Sequence, residues 1–143
     1  MSADAPRGCL KRRRAMAILI KCNGNHLIPG NQQTFRLPIQ DGIATTQGLE
    51  AFVWVNERSR SRPWGNGLTM RGTVASSSTV GRTATVTIRI NQRLPVGFGM
   101  NALGDLPSEA ARDLYRNIQP RRHCKIWGLS PGERDVLDEV FRI

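Results

Sequence analysis

The sequence has few cysteines, and their spacing supports neither a disulfide framework nor a metal site. Cys9, Cys22 and Cys124 are odd in number, widely separated and without a CxxC pair. Such a set is typical of a reducing compartment, so we expect the protein in the cytoplasm. His26 and His123 each lie near a cysteine, but at a spacing unlike that of a zinc finger. We therefore expect neither a metal nor a cofactor.

Long apolar runs are also missing. A helix that spans a bilayer needs about 20 mostly apolar residues, and no run in this chain approaches that length. Basic residues 11–14 followed by apolar residues 15–20 superficially resemble a signal peptide, but the apolar run is too short and no small-residue cleavage site follows. We therefore expect no membrane partner. Residues 1–15 are interpreted as a disordered basic tail and residues 16–143 as a single domain.

Signatures of catalysis are missing as well. The chain has no phosphate-binding GxxxxGK[ST] run, no nucleophile elbow and no obvious carboxylate pair. No catalytic residue is assigned, and a binding protein is favoured over an enzyme. A catalytic set built on His26 or His123 stays open, because folding can bring distant residues together.

Acidic residues are scarce and unevenly placed. Lys and Arg together number 21 against 11 Asp and Glu, which gives a net charge of +10. Residues 58–104 hold seven arginines and no acid. A field of this sign attracts polyanions and raises their encounter rate. The charge therefore favours nucleic acid as a partner, although a GC-rich genome that enriches arginine everywhere would give a similar composition.

Short stretches rich in valine, isoleucine and threonine predict strands separated by turns. The predicted strands span residues 16–21, 34–39, 51–55, 67–75, 82–91 and 123–129. Residues 51–55 are almost all apolar, which places them at the centre of a sheet. Residues 82–91 alternate, with Ala84, Val86, Ile88 and Ile90 on one face, and they are expected to pair with 67–75.

Turns and helices complete the predicted fold. Residues 76–81 are expected to form a hairpin turn, and residues 94–100 an irregular connection. Helices are predicted at 107–117 and, after a capping box at Ser130 and Glu133, up to Phe141. The fold class is therefore α+β: a mostly antiparallel, curved sheet or small pseudobarrel with flanking helices.

The most distinctive stretch is the basic loop between the predicted strands 51–55 and 67–75. Three arginines alternate with serine before a tryptophan and an asparagine: Arg58, Arg60, Arg62, Trp64 and Asn66. Guanidinium groups match phosphate geometry, and an aromatic ring offers a stacking surface for a base. The loop therefore indicates a site in which the arginines contact phosphate, Trp64 stacks and Asn66 reads a base edge. A solvated loop whose tryptophan packs on the core is the alternative.

Other aromatic and basic residues have simpler interpretations. Trp54 and Trp127 lie in apolar segments, so we expect them in the core. Arg121 and Arg122 follow a predicted helix, where cations complement the helix dipole; they also suit a second part of an anion site.

The stretch AFVWVNE at residues 51–57, followed by a loop and GNGLTMRGTV at 65–74, resembles the EVE/ASCH group of the PUA-like superfamily. In that group a strand leads to a small-molecule- or base-binding loop and then to a strand that opens with glycine. The resemblance implies a PUA-like pseudobarrel that binds RNA or a modified nucleobase without catalysis. It also adds Arg71, on the second strand, to the site residues.

Two other functions stay open from the sequence. A protein-binding module would use the arginines to recognise an acidic protein. A small hydrolase would act on nucleotides or esters through His26 or His123.

Overall fold

A computed structural model describes residues 17–24, 27–56, 66–118 and 125–142. Within these ranges the chain is a mixed α/β protein with six strands and three helices. The strands are β1 (Ala17–Cys22), β2 (Gln32–Pro38), β3 (Glu50–Val55), β4 (Gly67–Val80), β5 (Thr83–Phe98) and β6 (Ile126–Leu129). The helices are α1 (Met100–Gly104), α2 (Glu109–Ile118) and α3 (Pro131–Phe141).

The strands form one curled sheet in the order β2-β5-β4-β3-β1-β6. β1 and β3 are parallel, whereas all other neighbouring strands are antiparallel. The sheet curls into a half-barrel, and a parallel bridge between Ile39 and Ile126 links the ends of its two edge strands. The predicted curved, mostly antiparallel sheet with flanking helices is confirmed at this level.

The sheet has a buried cluster on each face. The concave face packs side chains from all six strands against one another, including Ile18, Phe35, Val53 and Val86. The convex face packs Leu19, Phe52 and Trp54 against the helices. β3 contributes to both clusters because its side chains alternate, and it lies between β1 and β4. The prediction of a central strand at residues 51–55 is therefore confirmed.

The hairpin of β4 and β5 is longer than the sequence predicts. β4 continues through its serines to Val80 and pairs with β5, so the prediction of a turn over 76–81 was wrong. The turn falls instead at Gly81, whose φ of +62° suits glycine. Residues 94–98 also belong to β5 rather than to an irregular connection. In both places the backbone pairing between the two strands outweighs the low strand propensity of serine, proline and glycine.

The helices end the chain on the convex side of the sheet. α3 carries the predicted capping box: the backbone N–H of Glu133 donates to Ser130 Oγ at 3.1 Å, and the Ser130 N–H donates to Glu133 Oε1 at 2.9 Å. α2 begins at Glu109, two residues later than predicted, and Ser108 Oγ accepts a bond from the Ala111 N–H. In the described part of the chain, no helix is long and apolar enough to cross a membrane.

Candidate nucleic-acid interface

The helices leave part of the convex surface of the sheet uncovered. They pack against side chains of β1, β3, β6 and the first residues of β4. On β5, Ala84, Val86 and Ile88 point into the concave cluster, so the alternate residues point the other way. The same holds for β2 around Phe35. A three-stranded surface from β2, β5 and the far part of β4 is thus exposed to solvent.

This surface consists of rows of polar side chains that run across the three strands. Thr73 lies opposite Arg89, which lies opposite Gln32. The next two rows are Ser76–Thr87–Thr34 and Ser78–Thr85–Arg36. We call these nine residues the hydroxyl–arginine face. None of its three strands contains an acidic residue, so the face presents only hydroxyl, amide and guanidinium groups.

Neighbouring side chains of the hydroxyl–arginine face order one another. The hydroxyls of Thr34 and Thr87 are 2.9 Å apart and share a hydrogen bond. Asn91 Nδ2 donates to Thr73 Oγ1 at 2.8 Å. Arg36 and Arg89 are exposed, and among the described residues neither forms an ion pair. Their rows are four strand positions apart, about 13 Å along β5. Two guanidinium groups are therefore available to an anionic partner at that spacing.

Acidic residues are concentrated in and beside the helices and are scarce in the sheet. The described ranges contain nine acidic residues, and seven of them lie in or beside the three helices. Of the other two, Asp41 is in the turn after β2 and Glu50 is paired at the start of β3. The described ranges hold eleven basic residues against these nine acidic ones, so their net charge is +2. Most of the net charge of +10 therefore lies in the segments outside them.

Most of the site residues predicted from the loop lie outside the described residues: Arg58, Arg60, Arg62 and Trp64. Asn66 is described and directly precedes β4. Its backbone passes so close to Gly97 that a Cβ atom at position 97 would clash with the Asn66 carbonyl oxygen. Gly67 has a φ of +81° and abuts the backbone of Phe98 in the same way. The loop thus joins β4 at a point fixed against the end of β5.

Arg71 lies in a partly buried ion-pair cluster rather than on the hydroxyl–arginine face. Its guanidinium donates to Glu50 and, through Nη1, to Asp138 Oδ1 at 2.7 Å. The same group lies 5.1 Å from the ring centre of Phe52 and 5.3 Å from that of Phe141. Arg71 therefore stabilises the packing of α3 against the sheet.

The carboxylates of this cluster are held in their charged form. Arg134 Nε donates to Glu50 Oε1 at 2.8 Å, and Arg142 Nη2 pairs with Asp138 Oδ2 at 2.9 Å. Burial raises the pKa of both carboxyls, but hydrogen bonds and charge from the arginines outweigh it, so each pKa is lower than its ordinary value. The cluster therefore places charged carboxylates and guanidinium groups together between α3 and the sheet.

Several chain segments leave the sheet at one end. Cys22 pairs with Val55 where β1 and β3 finish, and the Asn56 N–H donates to the Cys22 carbonyl at 2.7 Å. At the same end, the Lys21 N–H donates to the Lys125 carbonyl at 2.8 Å. Lys21 is buried, and its Nζ donates to the Ile118 carbonyl at 2.7 Å. The fold therefore brings together the attachment points of residues 57–65, which hold the predicted arginine loop, and of residues 119–124.

The remaining sequence candidates are core residues or lie outside the described part. Trp54 and Trp127 are 1% and 2% exposed, which confirms their expected place in the core. Cys22 is buried, and burial raises the pKa of its thiol to about 12, so it stays protonated at neutral pH. His26, His123, Cys9 and Cys124 are not among the described residues. Residues 17–24, 27–56, 66–118 and 125–142 contain no cluster of His, Cys, Asp or Glu that suits a metal ion.

The sequence does not predict the hydroxyl–arginine face, although the part of it that β5 contributes is visible there. The polar positions that alternate with the apolar ones on β5 include Thr85, Thr87 and Arg89. The alternation in β5 does not predict that β2 pairs along the other edge of β5. That pairing adds Arg36 to the same surface.

The chain matches no protein-family model, no curated protein and no solved structure.

Proposed function

We propose that this chain is a non-enzymatic, PUA-like domain that binds nucleic acid or a modified base through the hydroxyl–arginine face and the arginine loop. One observation carries the proposal: an exposed three-stranded surface that combines hydroxyl groups with two arginines that form no ion pair within the described part of the chain, and that has no acid on its strands. Phosphate oxygens are the partners that guanidinium and hydroxyl donors suit best.

The composition of the face favours nucleic acid over an acidic protein. The core of a protein–protein interface is enriched in aromatic and other large apolar residues. The hydroxyl–arginine face has none, and the nearest large exposed hydrophobic residue on its strands is Val80 at the tip of the hairpin. A surface of hydroxyl and guanidinium groups suits the phosphates and sugars of a nucleic-acid backbone better.

The arginine loop supplies what the face lacks. The face has no aromatic side chain, and stacking on aromatic rings is a main source of affinity for single strands. In this proposal Trp64 stacks on a base, Arg58, Arg60 and Arg62 contact phosphate, and Asn66 reads a base edge. The curled sheet with helices on one side is compatible with the PUA-like resemblance, which is the reason for including a modified base.

The loop is tested by fluorescence anisotropy with single-stranded RNA, single-stranded DNA and duplexes over a salt series. The wild-type protein is expected to bind with an affinity that falls as salt rises, because counterions are released. The triple variant Arg58→Ala, Arg60→Ala, Arg62→Ala is expected to bind more weakly and with a shallower slope, by roughly 0.7 per lost contact on a single strand.

A double variant, Arg112→Gln with Arg116→Gln, removes two exposed arginines of α2 and controls for loss of positive charge away from the loop. On oligonucleotides without a 5′-phosphate it should keep most of the affinity, since α2 is not part of the proposed interface. Equal binding by the triple variant and the wild type, or binding without salt dependence, would contradict the proposal. A pull-down partner that survives nuclease treatment would favour the acidic-protein alternative.

A further inference from the structure

A cleft of about 540 Å³ lies between α1 and α2. One wall consists of Asn101, Gly104 and Asp105, from α1 and its C-terminal cap. The other consists of Arg112, Tyr115 and Arg116 from α2. The volume lies in the range of small-molecule sites, which is about 300–1,000 Å³. No part of the hydroxyl–arginine face lines it.

Tyr115 gives the cleft a flat aromatic wall. Its ring packs on Gly104, where a Cβ atom would lie 3.0 Å from Cε1 and 3.3 Å from Cδ1 of the ring. The glycine therefore lets the ring lie close against the backbone of α1. Tyr115 is nevertheless 37% exposed, and it is one of the few large hydrophobic residues on the described surface. An exposed ring that is held by its neighbour is suited to stacking against a planar ligand.

Two guanidinium groups flank this ring. Arg112 and Arg116 are one helical turn apart, so they lie on the same side of α2. Arg112 Nη2 donates to the Pro107 carbonyl at 3.3 Å. Arg116 Nη2 pairs with Asp113 Oδ1 at 2.7 Å, and both of these side chains are largely exposed. Exposed pairs of this kind are weak. Both arginines can therefore turn to an anionic ligand without leaving a buried charge unpaired.

Asp105 and Asn101 restrict the ligand further. A carboxylate in the cleft repels a compact, highly charged anion, so the chemistry does not suit inorganic phosphate alone. Carboxylate oxygens accept bonds from hydroxyl groups, and an amide both donates and accepts. A ligand that matches the whole cleft has a flat ring, a pair of hydroxyls and one anionic group.

We infer that this cleft binds a nucleoside monophosphate, either free or as the 5′-phosphorylated end of a short oligonucleotide. The base stacks on Tyr115, the phosphate meets Arg112 and Arg116, and the ribose hydroxyls donate to Asp105. The inference does not rest on the function proposed above, since it uses a different surface and different residues.

The test is a titration of AMP, adenosine and inorganic phosphate, monitored by NMR chemical shifts and calorimetry. AMP is expected to bind at least about tenfold more tightly than either fragment, because only AMP engages both the ring and the arginines. Arg112→Gln and Tyr115→Ala should each weaken AMP binding about tenfold. Arg82→Gln, an exposed residue in the turn between β4 and β5, should leave it unchanged and is the matched control.

Titration of a dinucleotide with and without a 5′-phosphate distinguishes a free nucleotide from a chain end as the ligand. A 5′-phosphorylated dinucleotide that binds as well as AMP, while its unphosphorylated form does not, would identify a chain end as the ligand. Binding of AMP alone would identify the free nucleotide. No saturable AMP binding at millimolar concentration, or equal binding by wild type, Arg112→Gln and Tyr115→Ala with unchanged circular dichroism spectra, would overturn the inference.

Discussion

Arg71 of β4 and Asp138 of α3 form a 2.7 Å ion pair that fastens the terminal helix to the sheet. Asp138 is 5% exposed, and its second oxygen is bound by Arg142 at 2.9 Å. Phe52 and Phe141 lie beside the guanidinium. Because the pair is largely shielded from water, removing one partner leaves the other with fewer compensating charges. The cluster therefore makes the docking of α3 depend on charge as well as on apolar packing.

Substitution Asp138→Asn is expected to lower the free energy of unfolding by about 2 kcal/mol, since it removes one of the two carboxylates that pair with Arg71. Urea denaturation of both proteins measures the difference. Asp113→Asn is the matched control, because its partner Arg116 is mostly exposed and the pair is weak; its effect should stay below about 1 kcal/mol. A loss for Asp138→Asn no larger than that of the control would contradict the role of the cluster.

The same cluster predicts how stability depends on pH. Glu50 and Asp138 have lowered pKa values in the folded protein. Their contribution is therefore fully present above the pKa of unfolded carboxyls, about 4, and is lost as the pH falls through the folded values. Thermal unfolding measured between about pH 7 and pH 3 should show this loss. The Asp138→Asn variant should lose less stability over that range than the wild type, and an identical pH profile would show that Asp138 is not involved.

The contact between Gly97 and Asn66 predicts a position that tolerates no side chain. Gly97→Ala should lower the free energy of unfolding by about 2 kcal/mol, because the added Cβ forces the strand ends apart. Gly132→Ala in α3 is the control. Its Cβ would meet Ala110 Cβ at an ordinary 3.4 Å, so it should be neutral or slightly stabilising. If Gly97→Ala is as stable as Gly132→Ala, the start of β4 is not fixed by this contact.

The parts of the fold that the sequence predicted are those in which local pattern and tertiary context agree. Each of three patterns is compatible with only one local structure: the alternation in β5, the apolar run of β3 and the capping box of α3. The serines of β4 were assigned to a turn because serine has low strand propensity, and only the pairing with β5 overrides this. The parallel pairing of β1 with β3 and the bridge from Ile39 to Ile126 join segments that are distant in sequence. No local sequence pattern predicts such pairings.

The candidate site was predictable to a smaller degree. The arginine loop and the polar side of β5 were visible as patterns, but Arg36 joins that surface only because β2 returns to pair with β5. Arg71 illustrates the opposite case. The family resemblance adds it to the site residues, whereas its acidic partners come from β3 and from α3, which are distant in sequence.

The hydroxyl–arginine face is tested most directly by the double variant Arg36→Gln with Arg89→Gln. Its affinity for single-stranded RNA without a 5′-phosphate is measured by anisotropy at several salt concentrations, beside the wild type and the control Arg112→Gln with Arg116→Gln. We predict an affinity at least about tenfold lower for the face variant, with a shallower salt slope and unchanged thermal stability. Wild-type affinity and slope in that variant, or an equal loss in the control, would contradict the account.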